Sequence, residues 1–389
     1  MTAKASVSPT PQSDEQPAAV ATMVRLVRES FAVVEPQAEH VAEAFYATLF
    51  SIAPEVREMF PLNMQVQRSR FLRALVHIVQ MLDQPDELAP FLRQLGRDHR
   101  KFGVISRHYE PLGMALLSAI KKYAGPTWTV EVEHAWAEAY TIMARTMLDA
   151  AAADDGPAWW SATLVEHERR ARDLAVVRLH PDHAVPYLPG QYLSVEIPQR
   201  PRLWRYLSPA NAPREDGIIE FHVRAVQSGW VSRAIVAEAQ SGDLWRVGPA
   251  MGRLKVDREG GRDVVMIAGG TGLAPMRAIL EDLAQWGDNP RVHLFYGGRV
   301  RADLYDLQYL FIMAASNPWL SVVPVLETEA DAATMEQGTL ADVVTRYGAW
   351  AERDVLVAGS PSMIRSTVSR MLVAGTPLDR ISYDPFTVD

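Results

Sequence analysis

Apolar residues in the first 150 positions recur every three or four residues, which is the spacing of one face of an α-helix. One stripe runs from Val20 to Val34, and another runs from Trp136 to Met147. Proline and glycine residues separate such stretches. The pattern therefore predicts an all-α region. Its further helices are expected at residues 36–50, 64–82, 87–101 and 108–124.

The pattern changes twice after residue 155. Short β-type segments predict a small antiparallel sheet or barrel, and they lie at Ala175–Leu179, Tyr192–Ile197 and Ile218–Val226. From about residue 262, buried-strand runs alternate with helical stretches, which is typical of a parallel α/β sheet. Those runs are Asp263–Ile267, Val292–Tyr296, Leu320–Val325 and Val355–Val357.

These changes predict a multi-domain protein with three folded parts in series. We expect a disordered tail at residues 1–18 and an all-α domain at 19–152. An antiparallel β-barrel domain should follow at 158–258, and an α/β parallel-sheet domain at 262–389. A chain of 389 residues is long enough for this arrangement.

Composition excludes several classes of function. The chain has no cysteine, which rules out disulfides, thiolate zinc sites, iron–sulfur clusters and cysteine nucleophiles. The net charge is −8 with scattered basic residues, so no nucleic-acid partner is expected. The sequence contains no apolar run long enough for a spanning helix and no signal-peptide pattern, which predicts a cytoplasmic protein without a membrane partner. The pattern leaves the oligomeric state open.

A glycine-rich segment follows the first predicted strand of the α/β domain and opens a helix. Glycines there let backbone amides approach a phosphate, and the helix N-terminus adds a favourable dipole. A tight strand-to-helix turn without a ligand is the alternative interpretation. The residues that would bind a nucleotide are Gly269, Gly270, Thr271, Gly272 and Pro275.

Three further segments accompany that turn, namely Arg205–Asn211, Ser228–Ser232 and Ala358–Met363. Their order and spacing resemble those of the ferredoxin reductase-like flavoenzymes over residues 160–389. The resemblance implies FAD and NAD(P)H as cofactors, with the protein orienting them for hydride transfer. The residues implied to bind these cofactors, besides the glycine-rich turn, are Tyr192, Arg205, Tyr206, Leu207, Ser208, Gly229, Ser232, Gly359 and Phe386.

One histidine of the all-α region lies on an apolar stripe. His99 follows Leu88, Leu92 and Leu95 at helical spacing, so its imidazole is expected to point inward. An inward histidine is either a ligand or a structural core residue. The flanking segments decide in favour of a ligand, and they are Ala44–Phe50, Pro54–Phe60, His108–Gly113 and Ala135–Tyr140.

These segments resemble a bacterial globin over residues 20–150. The resemblance implies that His99 is the proximal ligand of a haem b iron, with Tyr109 beside it. Phe60 would wedge the haem, Tyr46 would hydrogen-bond bound dioxygen, and Gln67 would be a second distal donor. Plain core packing is the alternative for Tyr46 and Gln67.

A globin followed by a flavin reductase resembles the flavohaemoglobins. This resemblance implies an electron path from NAD(P)H through FAD to haem, with dioxygen and nitric oxide as gaseous partners. It implies nitric oxide dioxygenase activity, in which nitric oxide and dioxygen form nitrate. A flavohaem oxidoreductase with another donor or acceptor, and a gas-binding globin with a self-reducing module, are the alternatives. The sequence leaves NADH against NADPH undecided.

Five positions depart from the flavohaemoglobin pattern. The glutamate expected in the last globin helix is Ala151, and the tyrosine of the flavin motif is Leu207. The cysteine expected near the nicotinamide is Ala358. Asp98 and Asp384 replace a lysine and a glutamate, which predicts like charges between haem and flavin and slow electron transfer.

Overall fold

The computed structural model describes residues 15–227, 229–257, 259–328 and 335–384. The chain divides into two compact units, one up to Ala158 and one from Trp159. In the described residues of the first unit the regular elements are helices joined by short turns. They are α1 (Glu15–Val34), α2 (Ala38–Ile52), α3 (Gln65–Met81), α4 (Pro85–His99), α5 (Tyr109–Ala124) and α6 (Val130–Ala152).

The predicted helical stripes form the core of the first unit. Val27 and Phe31 of α1 pack with Trp136 of α6, whose indole N–H donates to the Ser30 hydroxyl over 3.0 Å. Helix α1 begins at Glu15, so the last four residues of the predicted tail are helical, and residues 1–14 lie outside the described residues. No helix in the described ranges combines the length and apolarity that crossing a membrane requires.

Helix α4 carries His99 at its last position. Pro85 and two acidic residues occupy its first turn. Proline is tolerated there because the first backbone N–H groups of a helix have no partner within the helix, and negative charges there are favoured by the helix dipole. Gly96 faces α6 so closely that a Cβ there would lie 2.2 Å from the Met147 carbonyl oxygen. This close approach fixes the end of α4, and with it His99, against α6.

The second unit begins with a six-stranded antiparallel sheet in the order β4-β3-β6-β1-β2-β5. A bridge between Pro209 and Phe221 links the end of β4 to β5, so the sheet nearly closes into a barrel. Helix α7 (Trp230–Ala237) packs on it. The strands are β1 (Trp160–Ala171), β2 (Leu174–Pro181), β3 (Leu193–Glu196), β4 (Arg205–Leu207), β5 (Ile219–Arg224) and β6 (Leu244–Val247).

Half of these strands were not predicted from the sequence. β1 is the longest, but its second half alternates little because it is polar and solvent-facing. β4 and β6 have three and four residues, which is too short for a periodic signal. The barrel class was nevertheless predicted correctly from the three strands with apolar sequences.

The rest of the second unit is a parallel sheet in the order β10-β9-β8-β7-β11-β12. The chain moves outward from β7 to β10 and then returns to the other side of β7 with β11, so β7 and β11 flank the switch point where such sheets bind ligands. The predicted α/β fold is confirmed. Its elements are β7 (Val264–Gly269), α8 (Leu273–Leu283), β8 (Val292–Gly298), α9 (Leu307–Ser316), β9 (Leu320–Leu326), β10 (Glu336–Gln337), α10 (Leu340–Tyr347), β11 (Asp354–Ala358), α11 (Pro361–Val373) and β12 (Ile381–Tyr383).

Candidate functional sites

The ring of His99 is oriented by its own helix. Its Nδ1 lies 2.6 Å from the Leu95 carbonyl oxygen, and a carbonyl only accepts, so Nδ1 carries the hydrogen. Burial lowers the pKa of His99 below its usual value and keeps the ring neutral. The Nε2 atom is therefore left with a lone pair, which is the state that a metal-binding histidine needs.

Two other histidines of the first unit are poorer ligand candidates. His77 is exposed and makes an edge contact with the ring of Phe91 at 4.7 Å. His108 is buried, but its Nδ1 accepts from the backbone N–H of Ile105 over 3.2 Å and so holds a turn.

A polar pair lies among aromatic rings in the same unit. The Gln67 amide nitrogen donates to the Tyr46 hydroxyl over 3.3 Å. Because that hydroxyl accepts here, its own proton is free for another acceptor. Burial raises the pKa of Tyr46, so the phenol stays protonated. The ring of Tyr46 contacts Phe60 at 5.4 Å and Phe71 at 5.7 Å between centroids.

No carboxylate is hydrogen-bonded to His99 among the residues described. Tyr109 is buried with apolar neighbours, and its hydroxyl makes no hydrogen bond to His99 in those ranges. Asp149 has a side chain that is 75% exposed and lies 3.8 Å from Arg145 on its own helix. The backbone carbonyl of Leu95 is thus the partner that the structure gives His99.

Asp98 is neutralised within its own unit. The ammonium of Lys101 lies 2.5 Å from its carboxylate, and the Lys101 side chain is only 1% exposed. Breaking such a buried pair costs about 3–5 kcal/mol, because a charge would be left without a partner. Asp98 is therefore not the bare negative charge on which the expectation of slow electron transfer rested.

A cleft of about 610 Å³ opens in the second unit at the switch point of the parallel sheet. It brings together most of the predicted cofactor-binding residues, although their sequence positions span more than 150 residues. The predicted residues that line it are Arg205, Tyr206, Leu207, Ser208, Ser232, Gly269, Gly270, Thr271, Gly272, Pro275 and Gly359.

The glycine-rich turn forms one wall of this cleft through its backbone. Gly270 has a left-handed φ of 55°, and nothing lies within 4 Å of where its Cβ would be. A Cβ on Gly272 would lie 2.3 Å from the Ala358 carbonyl oxygen, so the turn must press against the end of β11. The N-terminus of α8 follows immediately and favours a negative charge.

The opposite wall comes from the barrel. The Tyr206 ring lines the cleft and makes an edge contact with Tyr192, with centroids 5.3 Å apart. Leu207 replaces the expected aromatic residue and packs partly on the barrel core. Gly229 lies against Ser232, since a Cβ on Gly229 would be 2.3 Å from the serine hydroxyl. Phe386 lies outside the described residues.

Asp384 is buried in the second unit. One carboxylate oxygen accepts from the backbone N–H of Arg253 over 3.0 Å, and the other has no hydrogen bond within the described part of the chain. Burial raises the pKa of Asp384 to about 6, so this group is partly protonated near neutral pH. Asp384, like Asp98, therefore differs from the fixed negative charge that was expected from the sequence.

Sequence analysis missed several charged or polar residues of the cleft wall, among them His222, Arg224 and Asp303. Arg224 bridges Asp303 at 2.9 Å and Asp173 at 3.0 Å. His222 and Arg224 alternate along β5 with apolar residues. That pattern indicates a strand, but it does not reveal that the polar face would border a ligand cleft.

Comparison with known proteins identifies the family. A globin model matches residues 43–147, an oxidoreductase FAD-binding domain matches 161–256, and an oxidoreductase NAD-binding domain matches 266–369. A flavohemoprotein of Deinococcus radiodurans is 31% identical over 308 residues, covering 73% of this chain and 75% of that protein. This chain belongs to the flavohemoprotein family.

Other relatives extend the match to nearly the whole chain. A flavohemoprotein of Bacillus subtilis is 22% identical over 93% of this chain and 96% of its own length. The crystal structure of flavohemoglobin from Malassezia yamatoensis, with bound FAD and heme, has a TM-score of 0.77 at 18% identity. It covers 93% of this chain and 98% of its own, which confirms the fold.

As a member of this family, the chain is an oxidoreductase that passes electrons from NAD(P)H through FAD to haem. The residues described above fit these groups. His99 offers a neutral nitrogen to iron, and the cleft offers backbone amides, hydroxyls and an arginine to the phosphates and rings of two dinucleotides. The predicted family, fold class and cofactors are confirmed.

Proposed function

We propose that this flavohemoprotein is a nitric oxide dioxygenase, which combines nitric oxide and dioxygen to form nitrate. The hydrogen bond from Gln67 to Tyr46 is the observation that carries the proposal. It leaves a neutral phenol with one proton to donate, beside the rings of Phe60 and Phe71. A gaseous ligand that gains negative charge is stabilised by such a donor.

We assign the roles of the first unit as follows. His99 would hold the haem iron through Nε2, because its Nδ1 hydrogen is committed to the Leu95 carbonyl. Tyr46 would donate to the gaseous ligand, and Gln67 would orient the Tyr46 hydroxyl. Phe60 would pack against the haem. Tyr109 would support the His99 side of the pocket by packing, since it makes no hydrogen bond to His99 in the described ranges.

In the second unit the cleft residues would hold the two dinucleotides. Arg205, Ser208 and Ser232 would bind the flavin nucleotide, and the turn at Gly269–Gly272 would bind the nicotinamide nucleotide at the start of α8. When bound, the flavin would supply a hydride acceptor and the haem would supply an iron site for dioxygen. Nitric oxide, dioxygen and one electron balance one nitrate.

Replacing Tyr46 by Phe tests the proposal. The variant should release dioxygen about tenfold faster or more, which corresponds to a hydrogen bond of ~1.5–3 kcal/mol. Stopped-flow measurement of dioxygen dissociation would be paired with nitrate yield per nitric oxide consumed. Tyr123→Phe is the matched control, since Tyr123 stacks on His40 instead. Equal dissociation rates, or a wild-type protein that makes no nitrate, would contradict the proposal.

A second candidate function is a flavohaem oxidoreductase with a different electron acceptor. The observation that favours it is the proximal side, where His99 bonds a backbone carbonyl and Asp149 is exposed. A carboxylate would make the imidazole a stronger donor to iron, and its absence weakens activation of dioxygen. Turnover with artificial acceptors that exceeds nitrate formation at every nitric oxide concentration would select this candidate.

A further inference from the structure

Strand β5 carries two polar residues on the outer face of the barrel that are nevertheless buried. Ile219, Phe221 and Val223 point into the barrel core, so the side chains between them must point outward. Glu220 is only 1% exposed and His222 only 5% exposed. Another part of the second unit must therefore cover this face.

The cover comes from the nucleotide lobe, defined as the parallel sheet with its helices. Arg277 of α8 donates to Glu220 over 2.7 Å and to Asp306 over 3.1 Å. The Tyr305 hydroxyl lies 2.8 Å from His222 Nδ1. We call Glu220, His222, Arg277, Tyr305 and Asp306 the lobe seam, because their bonds join the barrel to the nucleotide lobe.

Buried ion pairs and hydrogen bonds hold the lobe seam together. Burial alone would raise the pKa of Glu220, but the hydrogen bond from His222 and the charge of Arg277 hold that pKa well below its usual value. Arg178, the cross-strand neighbour of Glu220, adds a second guanidinium at 2.6 Å. Removing one charged member would leave a buried charge without its partner.

One end of the lobe seam is the wall of the cleft. His222 lines the cleft itself, and the next outward residue, Arg224, crosses to Asp303 of the nucleotide lobe over 2.9 Å. The Tyr206 side of the cleft belongs to the barrel, whereas the Gly270 turn belongs to the nucleotide lobe. The bonds of the seam therefore set the spacing between the flavin side and the nicotinamide side.

We propose that Glu220 and Arg277 are positioning residues for hydride transfer, because they fix the barrel and the nucleotide lobe at the spacing in which the nicotinamide stacks on the flavin. Hydride transfer is sensitive to displacements of about 1 Å, so a loosened seam would slow it without removing any group that touches either cofactor. The inference rests on the NAD(P)H-to-FAD step of the family and is independent of nitric oxide chemistry.

The test uses the full-length holoprotein with Glu220→Gln, Arg277→Lys and Arg277→Met. Anaerobic stopped-flow mixing with NADH and NADPH gives the limiting rate of flavin reduction and the nucleotide dissociation constant. The long-wavelength charge-transfer absorbance of the nicotinamide–flavin complex reports stacking. Photochemical reduction of the flavin then gives flavin-to-haem transfer without nucleotide. Glu238→Gln is the control, since Glu238 pairs with Arg200 within the barrel.

We expect Glu220→Gln and Arg277→Met to lower the limiting rate at least tenfold per bound FAD and to weaken the charge-transfer band. Arg277→Lys should fall between Arg277→Met and wild type, because lysine keeps the charge but not the fork of donors. Flavin-to-haem transfer and the control should stay within twofold of wild type. An unchanged limiting rate, or an effect that vanishes once rates are normalised to bound FAD, would overturn the proposal.

Discussion

The proposed haem pocket of the first unit and the cleft of the second unit are built in opposite ways. In the proposed haem pocket, single side chains would do the chemistry, and His99, Tyr46 and Gln67 each project from a different helix. In the cleft, backbone turns form much of the wall, and several positions require the absence of a side chain. We therefore expect the proposed haem pocket to be disrupted most by substitutions that remove a side chain. We expect the cleft to be disrupted most by substitutions that add one.

The largest expected effect is on the pocket. His99→Ala should remove nearly all bound haem while the flavin absorbance stays at its wild-type level, because the two sites lie in separate compact units. Haem and flavin per chain would be measured by absorbance after purification. Imidazole added to the variant should restore part of the haem band. A haem content equal to that of wild type would exclude His99 as the ligand.

The second-largest effect is expected when one methyl group is added to the wall of the cleft. Gly272→Ala would place a Cβ 2.3 Å from the Ala358 carbonyl oxygen, and a backbone contact of this kind cannot relax cheaply. We expect flavin reduction at a fixed NAD(P)H concentration to slow about a hundredfold, as for a misplaced binding group. Gly287→Ala is the control, since nothing lies within 4 Å of that position. Equal rates in both variants would refute a tight turn.

A smaller effect concerns the buried carboxyl of the second unit. Because the pKa of Asp384 is about 6 when folded and 3.8 as a free group, the folded state binds the proton more tightly. Stability should therefore fall as pH rises through this interval. Asp384→Asn removes the charge and should stabilise the unit by about 2–3 kcal/mol at pH 8. Thermal unfolding should show about half of that gain at pH 5 and almost none at about pH 3, where the carboxyl is protonated in both the folded and the unfolded state.

The smallest expected effect is at a residue close in sequence to the position of the family glutamate. Asp149→Asn should change dioxygen dissociation less than twofold and stability by no more than about 0.5 kcal/mol, since its carboxylate is exposed. Flash photolysis and thermal unfolding would measure both. A larger change in ligand rates would show that Asp149 reaches the His99 side of the pocket after all.

Much of the scaffold could be predicted because it is local. The His99 stripe and the turn at Gly269–Gly272 each involve a few neighbouring residues, so spacing alone placed them on the correct elements. Strands β4 and β6 could not be predicted, since three or four residues carry too little pattern. Pairing with β3 defines β4, and pairing with β1 and β3 defines β6.

The surroundings of two aspartates could not be predicted from the sequence. Asp98 and Asp384 were expected to repel each other as two fixed charges, whereas Lys101 neutralises one and burial raises the pKa of the other. The ionisation of a carboxyl group depends on its nearest partners and on water, neither of which is visible in the order of residues.

The sequence by itself determined the order of the domains, the faces of the helices and the glycine-rich turn, because periodicity and glycine placement act over one or two turns of chain. Only the tertiary structure decided that Glu220 and His222, on the outer face of a barrel strand, would be sealed under Arg277 and Tyr305. A strand specifies which side chains share a face. The residues that cover that face lie 55 or more positions away in the sequence. Their packing buries Glu220 and His222, so these polar groups must be paired with partners in the lobe seam.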